Sequence, residues 1–171
     1  MTDTLKRIYG DLEDLGRADK YIDEILEIIH HINLFDDFSE DEIRAVCHYM
    51  RCFAAPRNYA LLEEGKTGDY LLLVLTGAGE ARKQSLGDGA EIIAEIAVGS
   101  TLGEMSMLDG KPHLSSCIVT APMDFAVLTR DALNNILLQA PRLGNKLLLT
   151  LLHLMSTQLR DASNRFLPSI A

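Results

Sequence analysis

The segment from Gly103 to Val119 carries the residue types of this chain that are best suited to binding chemistry. It places an acid, Glu104, directly after a glycine, and it ends on small hydroxyl residues such as Ser115 and Ser116. Glycine lets backbone N–H groups approach an anion, a carboxylate accepts hydrogen bonds from sugar hydroxyls, and serines add donors. The pattern therefore predicts a site for a sugar phosphate. The alternative interpretation of Glu104 is a solvated carboxylate in a surface turn.

Other polar residues can be grouped into acid–base pairs, but their spacing argues against catalysis. The candidate pairs are His30 with His31, Asp36 with Asp37, and Glu104 with His113. Adjacent helical residues point to different sides of a helix, so the two histidines suit neither a metal site nor a dyad. The sequence has no nucleophile motif, phosphate-binding Walker loop or zinc-ligand spacing. We predict no catalytic residues, no metal ligands and no enzyme.

The composition limits the partners and the compartment. A net charge of −9 disfavours a nucleic-acid footprint and an anionic membrane surface. The N-terminus lacks a signal-peptide core, and the longest apolar run, residues 147–155, is shorter than the ~20 residues that span a bilayer. Cys47, Cys52 and Cys117 form no CxxC pair, which favours buried thiols over a redox sensor or an iron–sulfur site. We expect a soluble, cytoplasmic protein without membrane contact.

Periodicity predicts helices at both ends of the chain. Apolar residues recur at steps of three and four over residues 3–32, with Gly16 as a point where this helical segment bends or splits. Ser39 followed by Glu42 has the pattern of a capping box and predicts a helix start. Near the C-terminus, Thr129 or Asp131 caps a short helix to Gln139, and a long amphipathic helix is predicted over 142–163 after Pro141.

Between these helices the apolar pattern changes to that of strands. Glycine-rich turns, including the one over residues 87–89, separate the apolar runs. The predicted strands cover residues 52–55, 59–63, 70–76, 79–85, 90–97, 101–102, 115–120 and 123–129. Many short strands at near-regular spacing are typical of an antiparallel barrel or jelly roll. The tail around Pro168 is predicted to fray.

The order of elements and several motifs resemble the cyclic-nucleotide-binding domain family, the sensory module of catabolite-activator-type regulators and nucleotide-gated kinases and channels. The motifs are Leu34-Phe35, Glu64-Gly65, Gly68-Asp69, Gly77, Gly99, Gly103-Glu104 and Pro112. The resemblance implies an α+β fold, an antiparallel β-roll or jelly roll flanked by N-terminal helices and a long C-terminal helix. It divides a single domain into an N-terminal helical segment (1–33), the roll (34–130) and C-terminal lid or dimerisation helices (131–165).

The resemblance also implies roles for individual residues. Glu104 would accept a hydrogen bond from a ribose 2′-hydroxyl, and backbone amides near Met105 and Ser106 would meet the cyclic phosphate. Ser115 and Ser116 would line the phosphate and the base. The implied ligand is cAMP or cGMP, with no other cofactor. The ligand-binding residues predicted in this way are Gly103, Glu104, Met105, Ser106, His113, Leu114, Ser115 and Ser116.

The sequence departs from the family pattern at His113, where the family has an arginine. A guanidinium donates two parallel charged hydrogen bonds to a phosphate, whereas an imidazole offers one donor and is mostly neutral near pH 7. Three interpretations stay open: a loop histidine in a domain that has lost its ligand, a weak and pH-dependent phosphate contact, or a haem or metal ligand. Lys111, or Arg82 and Lys83, could supply charge in place of the arginine.

Two main hypotheses for the function follow. One is a stand-alone sensory module for signal transduction that binds a small phosphorylated ligand and reports through its last helix to a protein partner. The other is an interaction or oligomerisation module that keeps the fold without the ligand, and a haem-based sensor is a third. The leucine-rich last helix favours a homodimer. No winged helix-turn-helix follows it, so we expect no direct DNA binding.

Overall fold

The computed structural model describes residues 3–84 and 89–166, which form two antiparallel sheets and flanking helices. The strands are β1 (Glu13–Arg17), β2 (Arg51–Ala55), β3 (Ala60–Leu62), β4 (Tyr70–Val74), β5 (Ala78–Gln84), β6 (Ala90–Ile96), β7 (Thr101–Leu102), β8 (Ser116–Ala121) and β9 (Met123–Thr129). One sheet has the order β1-β2-β9-β4-β7, and the other has the order β3-β8-β5-β6. This is the β-roll with flanking helices that the sequence predicts.

Helices precede, interrupt and follow the roll. They are α1 (Asp3–Tyr9), α2 (Ile22–Glu27), α3 (Glu40–Cys47), α4 (Glu104–Asp109), α5 (Arg130–Gln139) and α6 (Pro141–Phe166). Ser39 and Glu42 form the predicted capping box at the start of α3. The Thr129 hydroxyl accepts a hydrogen bond from the Ala132 amide and so caps α5, as predicted. α6 begins at Pro141, as predicted; a proline suits the first position of a helix because the backbone N–H there makes no intrahelical hydrogen bond.

The helical prediction over residues 3–32 is wrong for Glu13–Arg17, which is the strand β1. β1 pairs antiparallel with β2, and its register shifts between Asp14 and Gly16. The Arg51 side chain on β2 forms a bidentate ion pair with Asp14 across the two strands. Residues 13–17 form a strand despite their helical apolar spacing, because pairing with β2 at the edge of the sheet provides backbone hydrogen-bond partners that the isolated segment does not have.

The core has two parts separated by the first sheet. β4 is buried on both faces, so its alternating side chains enter different parts. Leu71 and Leu73 pack with α3, α5 and α6 outside the roll, whereas Leu72 and Val74 pack with Phe53 and Phe125 inside it. The helices are therefore anchored to the same sheet that supports the interior of the roll.

Three further predictions can be placed. Cys47, Cys52 and Cys117 are buried free thiols, and burial raises each thiol pKa to about 12. Residue 85, the turn residues 87 and 88, and the tail around Pro168 lie outside the described residues. Within the described ranges, every helix is too short or too polar to cross a membrane.

Candidate functional site

A cavity of about 500 Å³ opens where α4 and the loop after it meet β5, β7, β8 and α6. Seven of the eight predicted ligand-binding residues line it, namely Gly103, Glu104, Met105, Ser106, His113, Leu114 and Ser115. The remaining lining residues are Leu62, Ala81, Thr101, Leu102, Asp109, Lys111, Pro112, Cys117 and Gln158. Its volume is within the range of small-molecule sites. The segment singled out from sequence therefore forms one wall of a concave site.

Gly103 sets the direction of this wall. It has a φ of 82°, in the left-handed region, and it immediately precedes the first residue of α4. A Cβ at this position would lie 2.9 Å from the carbonyl oxygen of Tyr70 on β4. Only glycine combines this backbone conformation with this close approach. The turn at Gly103 directs α4, and with it Glu104, against the roll.

Glu104 is an unusual buried carboxylate. Its relative exposure is 5%, and its Oε1 accepts a 3.1 Å hydrogen bond from Nε2 of Gln158 on α6. Its Oε2, which we call the open oxygen, is buried and meets no hydrogen-bond donor in the part of the chain that the structure describes. Burial raises the pKa of Glu104, and hydrogen bonding from its own backbone amide and then from Gln158 partly opposes this effect. The alternative of a solvated turn carboxylate is wrong.

The Ser106 hydroxyl has a structural role. It accepts a hydrogen bond from the Gly68 amide at 3.0 Å and donates one to the Lys111 carbonyl at 2.6 Å. The Arg130 side chain, at the start of α5, donates to the carbonyls of Ser106 and Met107. These contacts fix α4 to the β3–β4 loop on one side and to α5 on the other.

His113 lies on the same wall close to Gly103, since a Cβ on Gly103 would be 3.8 Å from Cε1 of its imidazole, and its relative exposure is 8%. Its amide donates to the Lys66 carbonyl, and its carbonyl accepts from the Gly65 amide. The ring packs against Tyr70 and Gly68; a Cβ on Gly68 would lie 2.8 Å from Nε2 of the imidazole. This Nε2, which we call the open nitrogen, is buried without a hydrogen-bond partner among residues 3–84 and 89–166. Burial lowers the pKa of His113.

The charges around the cavity favour neither a strong anion site nor a catalytic pair. Lys111 lines the cavity, with its ammonium 3.8 Å from the Asp109 carboxylate. Arg82 pairs with Glu80, and Lys83 contacts Glu64 and the Leu114 carbonyl; within the described ranges, neither lines the cavity. Since His113 is mostly neutral at pH 7, two carboxylates face one ammonium.

The predicted residues at the rim differ in their accessibility. Met105 and Leu114 are exposed apolar side chains, and Ser115 is half-buried. Ser116, on β8, is outside the described cavity lining, and its hydroxyl accepts a hydrogen bond from the Glu64 amide. The geometry thus brings Ser115, but not Ser116, to the cavity.

Three residues that build the site are not among the predicted ligand-binding residues. Gln158 holds Glu104, Arg130 holds the end of α4, and Gly68, predicted only as part of the Gly68-Asp69 motif, makes room for the imidazole. A weak signal for Gln158 exists, because it lies seven residues after Leu151 and so on the same helical face, although its own side chain is exposed. Within the described ranges, His, Cys, Asp and Glu side chains do not cluster in threes that could hold a metal ion.

Comparisons with known proteins identify the family of this chain. The chain matches the family described as Cyclic nucleotide-binding domain over residues 53–140. The crystal structure of a cyclic nucleotide-binding domain from Methylobacillus flagellatus KT is 48% identical, with a TM-score of 0.86 over 100% of this chain and 97% of that one.

Two curated relatives are more distant. The CRP-like cAMP-activated global transcriptional regulator of Mycobacterium tuberculosis is 22% identical over 138 residues, which are 81% of this chain and 60% of the regulator. The cAMP-dependent protein kinase regulatory subunit of Blastocladiella emersonii is 25% identical over 105 residues, which are 61% of this chain and 26% of the subunit. The chain thus spans well under two thirds of either relative. From its fold, its cavity and these matches, the chain belongs to the cyclic nucleotide-binding domain family.

Proposed function

We propose that this domain is a sensory and regulatory module that binds cAMP, cGMP or a related small phosphorylated ligand in the cavity at α4. The observation that carries the proposal is the burial of Glu104 at that cavity with one carboxylate oxygen, the open oxygen, that has no hydrogen-bond partner among the described residues. A buried charge without a full set of partners costs stability, and such groups are retained where they serve a ligand. In this proposal the open oxygen accepts from a ribose 2′-hydroxyl.

The phosphate end of the ligand lies toward His113. The open nitrogen of His113 donates one hydrogen bond when the ring carries a proton there, and the first amides of α4, at Met105 and Ser106, add backbone donors. A charge-assisted pair with arginine is roughly twice as strong as a neutral hydrogen bond and has two parallel contacts. We therefore propose that this site holds a cyclic phosphate weakly.

The weak phosphate contact makes affinity depend on pH. Protonation of His113 adds a positive charge, so binding of the anionic ligand tightens as pH falls through the pKa of the imidazole in the complex. Burial lowers that pKa in the free protein, and a bound phosphate raises it again. At still lower pH, protonation of Glu104, whose pKa is raised by burial, removes the acceptor for the ribose. Affinity therefore has an optimum on the acid side of neutrality.

Isothermal titration with cAMP and cGMP at pH 5.5 and pH 7.5 tests the proposal. We expect weak binding at pH 7.5 that tightens severalfold at pH 5.5, with the pH effect lost in His113→Ala. If His113→Ala keeps the same pH effect, the histidine does not contact the phosphate. If neither nucleotide binds at either pH, the proposal that this domain senses cAMP or cGMP is wrong.

We also propose that α6 joins two copies of this domain. Leu147 and Leu151 on α6 enter the core, whereas Leu149, Leu152 and Leu159, which we call the leucine stripe, are 63–72% exposed on another side of the helix. Spacings of three and seven residues place the stripe on one helical face, and exposed apolar stripes of this kind mark association surfaces. Dimer pairing would let α6, which contacts Glu104 through Gln158, report ligand binding to a protein partner.

Light scattering tests the dimer. The wild-type domain is expected to be dimeric at micromolar concentration, and Leu152→Glu is expected to be monomeric because the carboxylate would be buried against the partner. Leu138→Glu, at an exposed leucine on α5, is the matched control and should stay dimeric. A wild-type monomer at all concentrations would refute the dimer proposal.

We further propose that the protein operates in the cytoplasm, because buried free thiols are typical of proteins in a reducing compartment.

A second candidate function is supported by the charges of the cavity. Two carboxylates face one ammonium, and no arginine lines the cavity among the residues that the structure describes. An oligomerisation module that keeps the fold without a nucleotide would have this charge balance. A dimer that binds neither nucleotide at either pH would favour this function over a sensor.

A further inference from the structure

The two oxygens of Glu104 have different surroundings. Oε1 accepts the hydrogen bond from Gln158, while Oε2 is the open oxygen. Both groups line the cavity, so a ligand there meets a carboxylate that is already held on one side. A carboxylate held by one oxygen cannot rotate freely, and its second oxygen has a fixed direction.

The contact also connects distant parts of the fold. Gln158 lies 54 residues after Glu104 in the sequence and belongs to the last turns of α6. The described side chains from 156 to 164 are exposed, whereas Leu147 and Leu151 anchor the earlier part of the same helix. Gln158 therefore lies beyond the buried part of α6 with an exposed side chain, and its amide reaches the carboxylate that the proposed ligand would use.

We propose that Gln158 is a positioning residue for ribose recognition: it fixes Glu104 by one oxygen so that the other is directed at the ligand's 2′-hydroxyl. This inference rests on the proposed function. The amide suits the task because its Nε2–H is a donor within hydrogen-bond reach of Oε1. Its donation also favours the ionised form of Glu104, which is the form that accepts from a hydroxyl.

A comparison of two ligands separates positioning from simple structural support. cAMP and its 2′-deoxy analogue differ only in the hydroxyl that the open oxygen would accept. The ratio of their dissociation constants therefore reports on this hydrogen bond. A general loss of protein stability would weaken the binding of both ligands by the same factor and leave the ratio unchanged. Hydrogen bonds to charged groups change affinity by about tenfold to a hundredfold, so the wild-type ratio is expected to be at least about tenfold.

The variants are Gln158→Met, which keeps the length but removes the donor, and Gln158→Lys, which keeps an N–H donor. Thr157→Val is the control, because its hydroxyl donates to the His153 carbonyl within α6 and the residue lies outside the described lining of this cavity. We expect Gln158→Met to lower the cAMP preference at least about threefold, and Gln158→Lys and Thr157→Val to keep it. Titrations at pH 6.5 measure all four proteins with both ligands.

The outcomes distinguish this inference from the proposed function. If the wild type prefers cAMP and Gln158→Met keeps the full preference, Gln158 does not position the carboxylate, and the proposed function stands. If Gln158→Met and Gln158→Lys lose the preference equally, the donor is not responsible, and the inference is also wrong. If the wild type binds neither ligand, the proposed function fails and this inference fails with it.

Discussion

Two segments of the cavity wall differ in how completely they are built. In residues 103–109, which we call the sugar end because the proposed ribose would bind there, three features fix Glu104 in place: the turn at Gly103, the two hydrogen bonds of Ser106 and the contact from Gln158. In residues 112–116, which we call the phosphate end because the proposed phosphate would bind there, His113 has one open nitrogen and a lowered pKa. Lys111, whose side chain lines the cavity, has the Asp109 carboxylate beside its ammonium.

Under the proposed function, this difference would separate recognition of a sugar from recognition of a charge. The sugar end keeps a buried carboxylate, and a buried charge without a full set of partners costs stability. The phosphate end depends on a group whose charge varies with pH. In that proposal the sugar end would set which ligands fit, and the phosphate end would limit how tightly they bind.

The largest expected effect concerns the structural support of the sugar end. Ser106→Ala removes the acceptor of the buried Gly68 amide and the donor to the Lys111 carbonyl. An unpartnered buried donor costs the desolvation of that group, so the free energy of unfolding should fall by about 2 to 3 kcal/mol. Urea denaturation measures the change. Ser115→Ala, at the half-buried serine of the phosphate end, is the control and should change it by less than about 0.5 kcal/mol. Equal effects would mean that the two ends are equally rigid.

A smaller change in the free energy of unfolding, an increase instead of a decrease, is expected on substitution of Glu104. Burial raises the pKa of Glu104, so its ionised form is disfavoured in the folded chain, and Glu104→Gln should raise the free energy of unfolding at pH 7.5 by about 1 kcal/mol. The same substitution should abolish the preference for cAMP over its 2′-deoxy analogue. Glu95→Gln, at an exposed residue of β6, serves as the control for both measurements. Destabilisation by Glu104→Gln would show that the carboxylate supports the fold rather than a ligand.

The smallest expected effect is the pH dependence of stability at the phosphate end. The pKa of His113 is lower in the folded chain than its unfolded value near 6.5. The unfolded state then binds more protons. The contribution of the neutral, buried imidazole to the free energy of unfolding is therefore present above about pH 6.5 and is lost as pH falls below it. As pH falls from 7.5 to 5.5, the free energy of unfolding should decrease more in the wild type than in His113→Gln. The two decreases should differ by less than about 1 kcal/mol. Denaturant titrations at both pH values measure the difference; a larger loss in the variant would contradict the burial of a neutral imidazole.

Local signals in the sequence predicted much of the fold. The capping box at Ser39, the cap at Thr129 and the start of α6 at Pro141 depend on residues within one helical turn, and each is confirmed. The strand β1 was missed because its stability comes from pairing with β2, some 35 residues later, and not from its own pattern. Tertiary pairing overrides a short helical period of this kind.

The same distinction applies to the site. The Gly-Glu step pointed to the cavity wall because both residues are adjacent in sequence. The contacts of Gln158 and Gly68 were not predicted because they join segments tens of residues apart, and neither the helical spacing of Gln158 nor the Gly68-Asp69 motif identifies a partner across the fold. For Ser106 the sequence predicted only a contact through its backbone amide. The structural role of its hydroxyl depends on the Gly68 amide, whose position the sequence does not give.

Calorimetric titration of cAMP into the wild type and His113→Arg at pH 7.5 tests most directly whether the phosphate end limits affinity. The arginine offers two charged donors at any pH, so cAMP should bind about a hundredfold more tightly to His113→Arg. His113→Lys, which adds a point charge without the planar fork, should give a smaller gain. Unchanged or weaker binding by a folded His113→Arg domain would contradict the account, because the sugar end would then be unable to hold a nucleotide even when the phosphate contact is restored.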